Sequence, residues 1–143
     1  MRVDFETRVR LREQRLLKAI ERAASGSLRS VGYVISQIAK AKIKRGPTAG
    51  GGRGRRRKTK PSSPGQPPHT RRGQLRRAIR YAMTSDQAAV VVGPVYSMVE
   101  DVGKAHEFGG KYKGERYPKR PFMGPSLEEA LPKIGPQFKG SVR

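Results

Sequence analysis

Cysteine is absent from this chain, histidine occurs twice, and acidic residues number 11 against 32 lysines and arginines. Without a thiol there is no disulfide scaffold, no thiolate zinc site and no cysteine nucleophile. The two histidines, His69 and His106, are a thin supply for catalysis. His106 and Glu107 lie near Glu100 and Asp101 in the sequence, yet they lack the two-histidine helical spacing of zinc hydrolases. The expectation is therefore no enzyme, no metal and no cofactor, with His106 a packed or hydrogen-bonded structural residue. Long apolar runs are missing too. No stretch approaches the ~18 consecutive apolar residues of a membrane span. Met1-Arg2-Val3-Asp4-Phe5-Glu6 leads into charged residues rather than the apolar core of a secretion signal. A soluble chain with no membrane partner is expected.

What is present is positive charge. The formal net charge is +21 over 143 residues, which calls for an anionic partner or burial among counter-charged neighbours. Hydrophobic residues make up 34%, below the roughly 45–50% apolar share of an ordinary globular domain. One modest core is implied, supplemented by partner contacts or accompanied by unstructured segments, and the length suits a single domain.

Between Glu6 and Lys44, Val9, Leu16, Ile20, Ala23, Leu28, Val31, Ile35 and Ile38 recur at helical steps. Unbroken, such a helix is roughly 55 Å long, too long for a compact monomer of this size. A kink at Ser25-Gly26 or packing on a second chain is expected. Gly46-Pro47 stops the helix, and residues 45–72 read as a loop of Gly, Pro, Ser, Arg and Lys. Residues 41–80 hold 14 cations and no Asp or Glu: Lys42, Lys44, Arg45, Arg53, Arg55, Arg56, Arg57, Lys58, Lys60, Arg71, Arg72, Arg76, Arg77 and Arg80.

Residues 73–131 read as an α+β core. Ala78-Ile79-Arg80-Tyr81-Ala82-Met83 and Ala88-Ala89-Val90-Val91-Val92-Gly93, separated by Thr84-Ser85-Asp86-Gln87, predict a β-hairpin whose Val-rich strand is central in a sheet. Tyr96 to Phe108 predicts a short helix or turn ended by Gly109-Gly110, and a Lys/Tyr loop follows. Ser126-Leu127-Glu128-Glu129 predicts a capping box at the start of a final helix, with residues 132–143 as a tail. The fold class is α+β: a long N-terminal helix, a small antiparallel sheet, a short C-terminal helix and a long basic loop. Leu75, Ile79, Val90 and Val92 are candidate core residues. Phe108 and Phe122 are anchors, either in the core or at a subunit contact.

Within the loop, Gly52-Arg53-Gly54-Arg55-Arg56-Arg57-Lys58-Thr59 nearly matches a phosphate-binding loop. Arg57 stands where the second Gly is needed, so the backbone cannot wrap a nucleotide. Arg53, Arg55, Arg56, Arg57, Lys58 and Lys60 instead form a polycation suited to DNA phosphates or to acidic patches of neighbouring proteins.

Two stretches resemble a known family. Ser63-Pro64-Gly65-Gln66-Pro67-Pro68 followed by Gly73-Gln74-Leu75-Arg76-Arg77-Ala78-Ile79 is the first. The second combines Val92-Gly93-Pro94, Tyr96-Ser97, His106-Glu107-Phe108-Gly109-Gly110 and Pro118-Lys119-Arg120-Pro121-Phe122-Met123-Gly124-Pro125-Ser126-Leu127. Together they resemble the small neck and tail-completion proteins of long-tailed double-stranded DNA phages, and the related virion-morphogenesis proteins share the His/Phe-Gly-Gly and Arg-Pro-Phe elements. Arg72 and Gly110 stand where that pattern has Thr, and the stretch Gly50 to Lys60 is additional.

The resemblance implies a structural virion protein that forms a ring, a hexamer first and a dodecamer next. The ring would sit in the neck between head and tail after assembly in the host cytoplasm. Connector or adaptor proteins and tail-tube or tail-terminator proteins would be its neighbours, and packaged DNA a further partner. Pro64, Gly65, Pro67, Pro68, Gly73, Leu75, Tyr96, Glu107, Phe108, Gly109, Arg120, Pro121 and Phe122 are its motif and subunit-contact positions, and Pro67, Pro68, Pro118 and Pro121 stiffen extended arms suited to lying across a neighbour. The alternative reading, from charge alone, is a sequence-blind nucleic-acid-binding protein of ribosomal or architectural type.

Overall fold

A computed structural model describes residues 5–47 and 59–141, with residues 5–12 described by their backbone alone. The architecture is α+β. The chain opens with a helix, α1 (Phe5–Lys42), and passes through a short α2 (Gln74–Ala78) into an antiparallel hairpin, β1 (Ile79–Met83) and β2 (Val90–Pro94). Two short helices follow, α3 (Tyr96–Val99) and α4 (Val102–Phe108). A second hairpin pairs β3 (Gly110–Tyr112) with β4 (Glu115–Tyr117), and α5 (Met123–Ile134) leads into a 3-10 turn, Gly135–Phe138. No described helix is long and apolar enough to cross a membrane.

Helix α1 is one continuous element through Ser25-Gly26, one of the two places where its expected length would be accommodated, by a kink there or by packing on a second chain. The Ser25 hydroxyl turns back to the Arg22 carbonyl at 3.1 Å, and Gly costs a helix interior only about 1 kcal/mol relative to Ala, too little to end 38 residues of otherwise helical spacing. The two halves of α1 have different fates. From Ser25 onward one face is buried: Val31, Ile35 and Ala39 pack into the core, and Ile43 joins them just past the helix end. Before Ala23 the described side chains are almost all exposed, including Leu16, Leu17 and Ile20.

Two apolar clusters form the core. Val31, Ile35 and Ala130 lock α1 to α5, with Val90 and Val92 against them. Ala39, Ile43, Leu75, Ala78, Ile79, Val99 and Phe122 form the other, in which Phe122 has no exposed surface. Gly32 brings α1 onto the first hairpin, since a Cβ there would stand 2.6 Å from Val90 Cγ2 and 2.9 Å from the Tyr81 ring. The expected central strand is instead one of a pair: among the described residues the sheet has only β1 and β2. Its Val run is served by α1 and α5 covering one face, where Val90 and Val92 point, while Val91 between them is 62% exposed.

Three further differences have local causes. The Lys/Tyr stretch folds into the β3–β4 hairpin because Lys113-Gly114 both take positive φ, 49° and 80°, as a tight two-residue turn requires. The final helix begins at Met123, so Ser126 lies inside its first turn, fully buried, with its hydroxyl bonded to the Phe122 carbonyl. Glu129 is therefore no capping residue; it accepts from Lys42 of α1 at 2.7 Å, and that bond holds its carboxyl below the usual range. Beyond it, α5 runs through Pro132 to Ile134, into the stretch read as tail.

Candidate functional site

Several motif positions of the two stretches meet in one place and bond within the chain. Helix α5 starts without a side-chain cap of its own. Its exposed N–H groups are taken by Glu107 at the end of α4: Oε2 accepts from the Phe122 and Met123 amides at 2.8 and 2.9 Å, and Oε1 accepts from Gly124 at 2.8 Å. Three otherwise unpaired donors and the positive end of the helix dipole thus meet one carboxylate. Arg120, just before α5, donates through Nε to the Ser62 carbonyl at 2.8 Å and through its backbone N–H to the His106 carbonyl at 2.6 Å. The Gly65 amide donates to the Lys119 carbonyl at 2.8 Å. The Ser-Pro-Gly segment and the Arg-Pro-Phe segment, more than fifty residues apart in the sequence, are therefore stitched directly together, and α4 is bonded to the second of them.

This arrangement corrects several expectations. Pro68 is fully buried within its own chain and Pro67 half-buried, so they do not form an arm laid over a neighbour; Pro64 and Gly65 are exposed and Pro121 is half-buried. Phe122 and Leu75 are core residues, which settles Phe122 in favour of the core. Phe108 is the reverse: at 71% exposed it belongs to no core. Gly109, after it, has φ of 76°, and a Cβ there would come within 3.3 Å of the Lys119 amide nitrogen, so a side chain would crowd the stitched segment. Gly73 also takes positive φ, ahead of α2. Tyr96, opening α3, is 65% exposed.

Of the basic loop positions, Arg53, Arg55, Arg56, Arg57 and Lys58 lie outside the described residues. Lys60 is exposed, and its backbone N–H donates to the Pro47 carbonyl at 3.0 Å, so the chain leaves and re-enters at one point. His69 Nδ1 lies 2.9 Å from the Lys60 carbonyl, and the Thr70 amide donates to the Lys44 carbonyl at 2.9 Å. Gly46 sits inside this junction, where a Cβ would stand 2.8 Å from both the Lys60 oxygen and His69 Nδ1. The described part of the loop, residues 59–72, is thus held by the chain's own backbone bonds.

His106 is half-buried, edge-on to Tyr117 with ring centroids 5.2 Å apart, and its Nδ1 is buried without a hydrogen-bond partner among the described residues. Burial, aided by the Arg120 charge, pushes its pKa below 6.5. The unfolded chain then binds the proton more readily. The stability His106 contributes is complete above about pH 6.5 and is lost as pH falls from there through the lower folded-state value. Denaturant titrations of the parent and of His106→Gln should show the gap between them changing below about pH 6.5 and constant above it. A gap that does not vary with pH would contradict the assignment.

Among the described residues no group of three or more His, Asp or Glu side chains is placed to hold a metal ion. What stands out instead is exposed apolar surface on several elements. It comprises Leu16, Leu17 and Ile20 on α1, Tyr96 and Met98 on α3, Phe108 ending α4, and Leu127 and Leu131 on α5. Leu16 with Ile20, and Leu127 with Leu131, are i,i+4 pairs sharing one helix face each. Met98, Leu131 and the capping role of Glu107 are not legible in the sequence, because each depends on where α3, α4 and α5 come to rest.

No family model, curated protein or solved structure matches the chain.

Proposed function

We propose that this chain is a non-enzymatic ring subunit of the neck of a tailed phage or phage-derived particle, joining the DNA-filled head to the tail. The observation that carries the reading is the first half of α1. It extends a helix with Leu16, Leu17 and Ile20 exposed, on a chain that also leaves Tyr96, Phe108, Leu127 and Leu131 in solvent. Single exposed apolar residues are ordinary, but paired ones on a projecting helix are the surface that a second subunit covers. A head-to-tail ring needs two different faces per subunit, one to give and one to receive, and closes by rotation. The exposed leucines and isoleucine of α1 and the Leu127–Leu131 pair on α5 are two different apolar surfaces that could serve as such a pair. The motif resemblance to neck and tail-completion proteins supplies the place in the particle.

The test is complementation of assembly. Particles made without this chain should accumulate as full heads and free tails, and adding the purified protein should join them. Normal infectious particles made without it would refute the reading. Tight duplex binding by a protein that neither self-assembles nor joins particles would favour the alternative, a basic nucleic-acid-binding protein.

A further inference from the structure

A strongly cationic described surface lies away from the Arg53–Lys58 run. Lys40 near the end of α1, Arg72 just ahead of α2, Arg76 and Arg77 on α2, and Arg80 on β1 line a single open groove with Gly73 and Met98, about 540 Å³ in volume. No carboxylate lines it. The ion pairs of the described residues are Lys42–Glu129, Lys113–Glu100 and Lys133–Glu129, so none of the five cations is neutralised by a described acid. Arg77 is partly committed, its guanidinium donating to the Arg72 backbone carbonyl at 3.2 Å, which fixes the Arg77 side chain against the segment that leads into α2.

Five like charges around one groove repel each other, and a single small anion leaves most of that repulsion in place. A polyanion does not. The lining argues further for which one. Its only large apolar side chain is Met98, so it lacks the apolar centre of a protein–protein interface. It also has no aromatic side chain on which an unpaired base would stack, as single-strand binders provide. Four arginines, whose planar forks fit phosphate oxygens, and a lysine suit a double-helical phosphate backbone met from outside, without base reading. The groove is also contiguous with the closed base of the Arg-rich loop: Thr70, bonded to Lys44, lies two residues before Arg72.

We infer that the groove formed by Lys40, Arg72, Arg76, Arg77 and Arg80 is a binding track for the phosphate backbone of duplex DNA. The inference concerns a surface within one chain, so it stands or falls independently of ring formation. The test is binding of a mixed-sequence DNA duplex by the full-length protein across a salt series. Neutralising two phosphate contacts with Arg76→Gln and Arg80→Gln should lower the slope of log K against log salt by about 2, and weaken binding roughly 60-fold at ~0.1 M salt. Lys40→Gln, on a different element, should lower the slope by about 1 and serves equally if the double variant does not fold. An unchanged slope in folded variants of both kinds would overturn the proposal. So would a full loss of slope on replacing Arg55, Arg56 and Arg57 by Gln while the groove variants bind as the parent does. Poly-glutamate should compete poorly with the duplex, and a single strand of equal length should bind more weakly. Equal competition by poly-glutamate, or tighter binding of the single strand, would overturn the choice of duplex DNA.

Discussion

Glu107→Ala is expected to destabilise the fold by about 2–3 kcal/mol, the cost of removing a charged acceptor from donors that have no other partner. Its carboxylate accepts from three successive amides at the start of α5, and two of them, Phe122 and Met123, belong to residues that also build the core. Losing the cap therefore loosens more than a helix end. It frees the segment that seats the fully buried Phe122 ring and that carries Arg120 onto Ser62. Glu107→Gln keeps one acceptor oxygen near the helix and should recover part of the loss. Urea titration measures both. A change in Glu107→Ala below about 0.5 kcal/mol, the size of an ordinary surface substitution, would show that the cap carries no weight.

The double substitution Phe108→Ser, Tyr96→Ser is expected to have the opposite profile, with assembly lost and the fold kept. Both rings are largely in solvent, so their removal opens no cavity. At a subunit contact, buried aromatic anchors are worth about 2 kcal/mol or more each. Two of them amount to about 4 kcal/mol per interface, roughly a thousandfold in affinity, and a closed ring repeats that loss at every joint. Sedimentation should therefore find the variant as free chains under conditions where the parent assembles, with an unchanged urea midpoint at low concentration. An assembled variant would remove these residues from the contact.

The contrast between Phe108 and Phe122 shows where the sequence is informative and where it stops. The first hairpin is readable from two apolar runs about a polar turn and the final helix from its cap-like pattern, while helix α1 follows from helical spacing that buries one face. Leu75 and Ile79 are core for the same reason. What spacing cannot carry is long-range capping. Ser126 with Glu129 has the pattern of a capping box, yet a carboxylate from α4 takes the helix start, and the helix begins four residues earlier than the box requires. The two phenylalanines sit in equally apolar-looking motifs, and only the path of the chain after Gly109 decides that one is covered and the other bare. The basic groove is hidden only in part: Arg72, Arg76, Arg77 and Arg80 lie close together in the basic stretch 41–80, but packing brings Lys40 of α1 to them.

The closed assembly of copies proposed for this chain can be read from the mass of the purified protein in solution. The prediction is one discrete species at a fixed multiple of 15.9 kDa, a hexamer first and a dodecamer next, that collapses to single chains when Phe108 and Tyr96 are replaced. A parent protein that sediments at 15.9 kDa across all concentrations, indistinguishable from that variant, would contradict it.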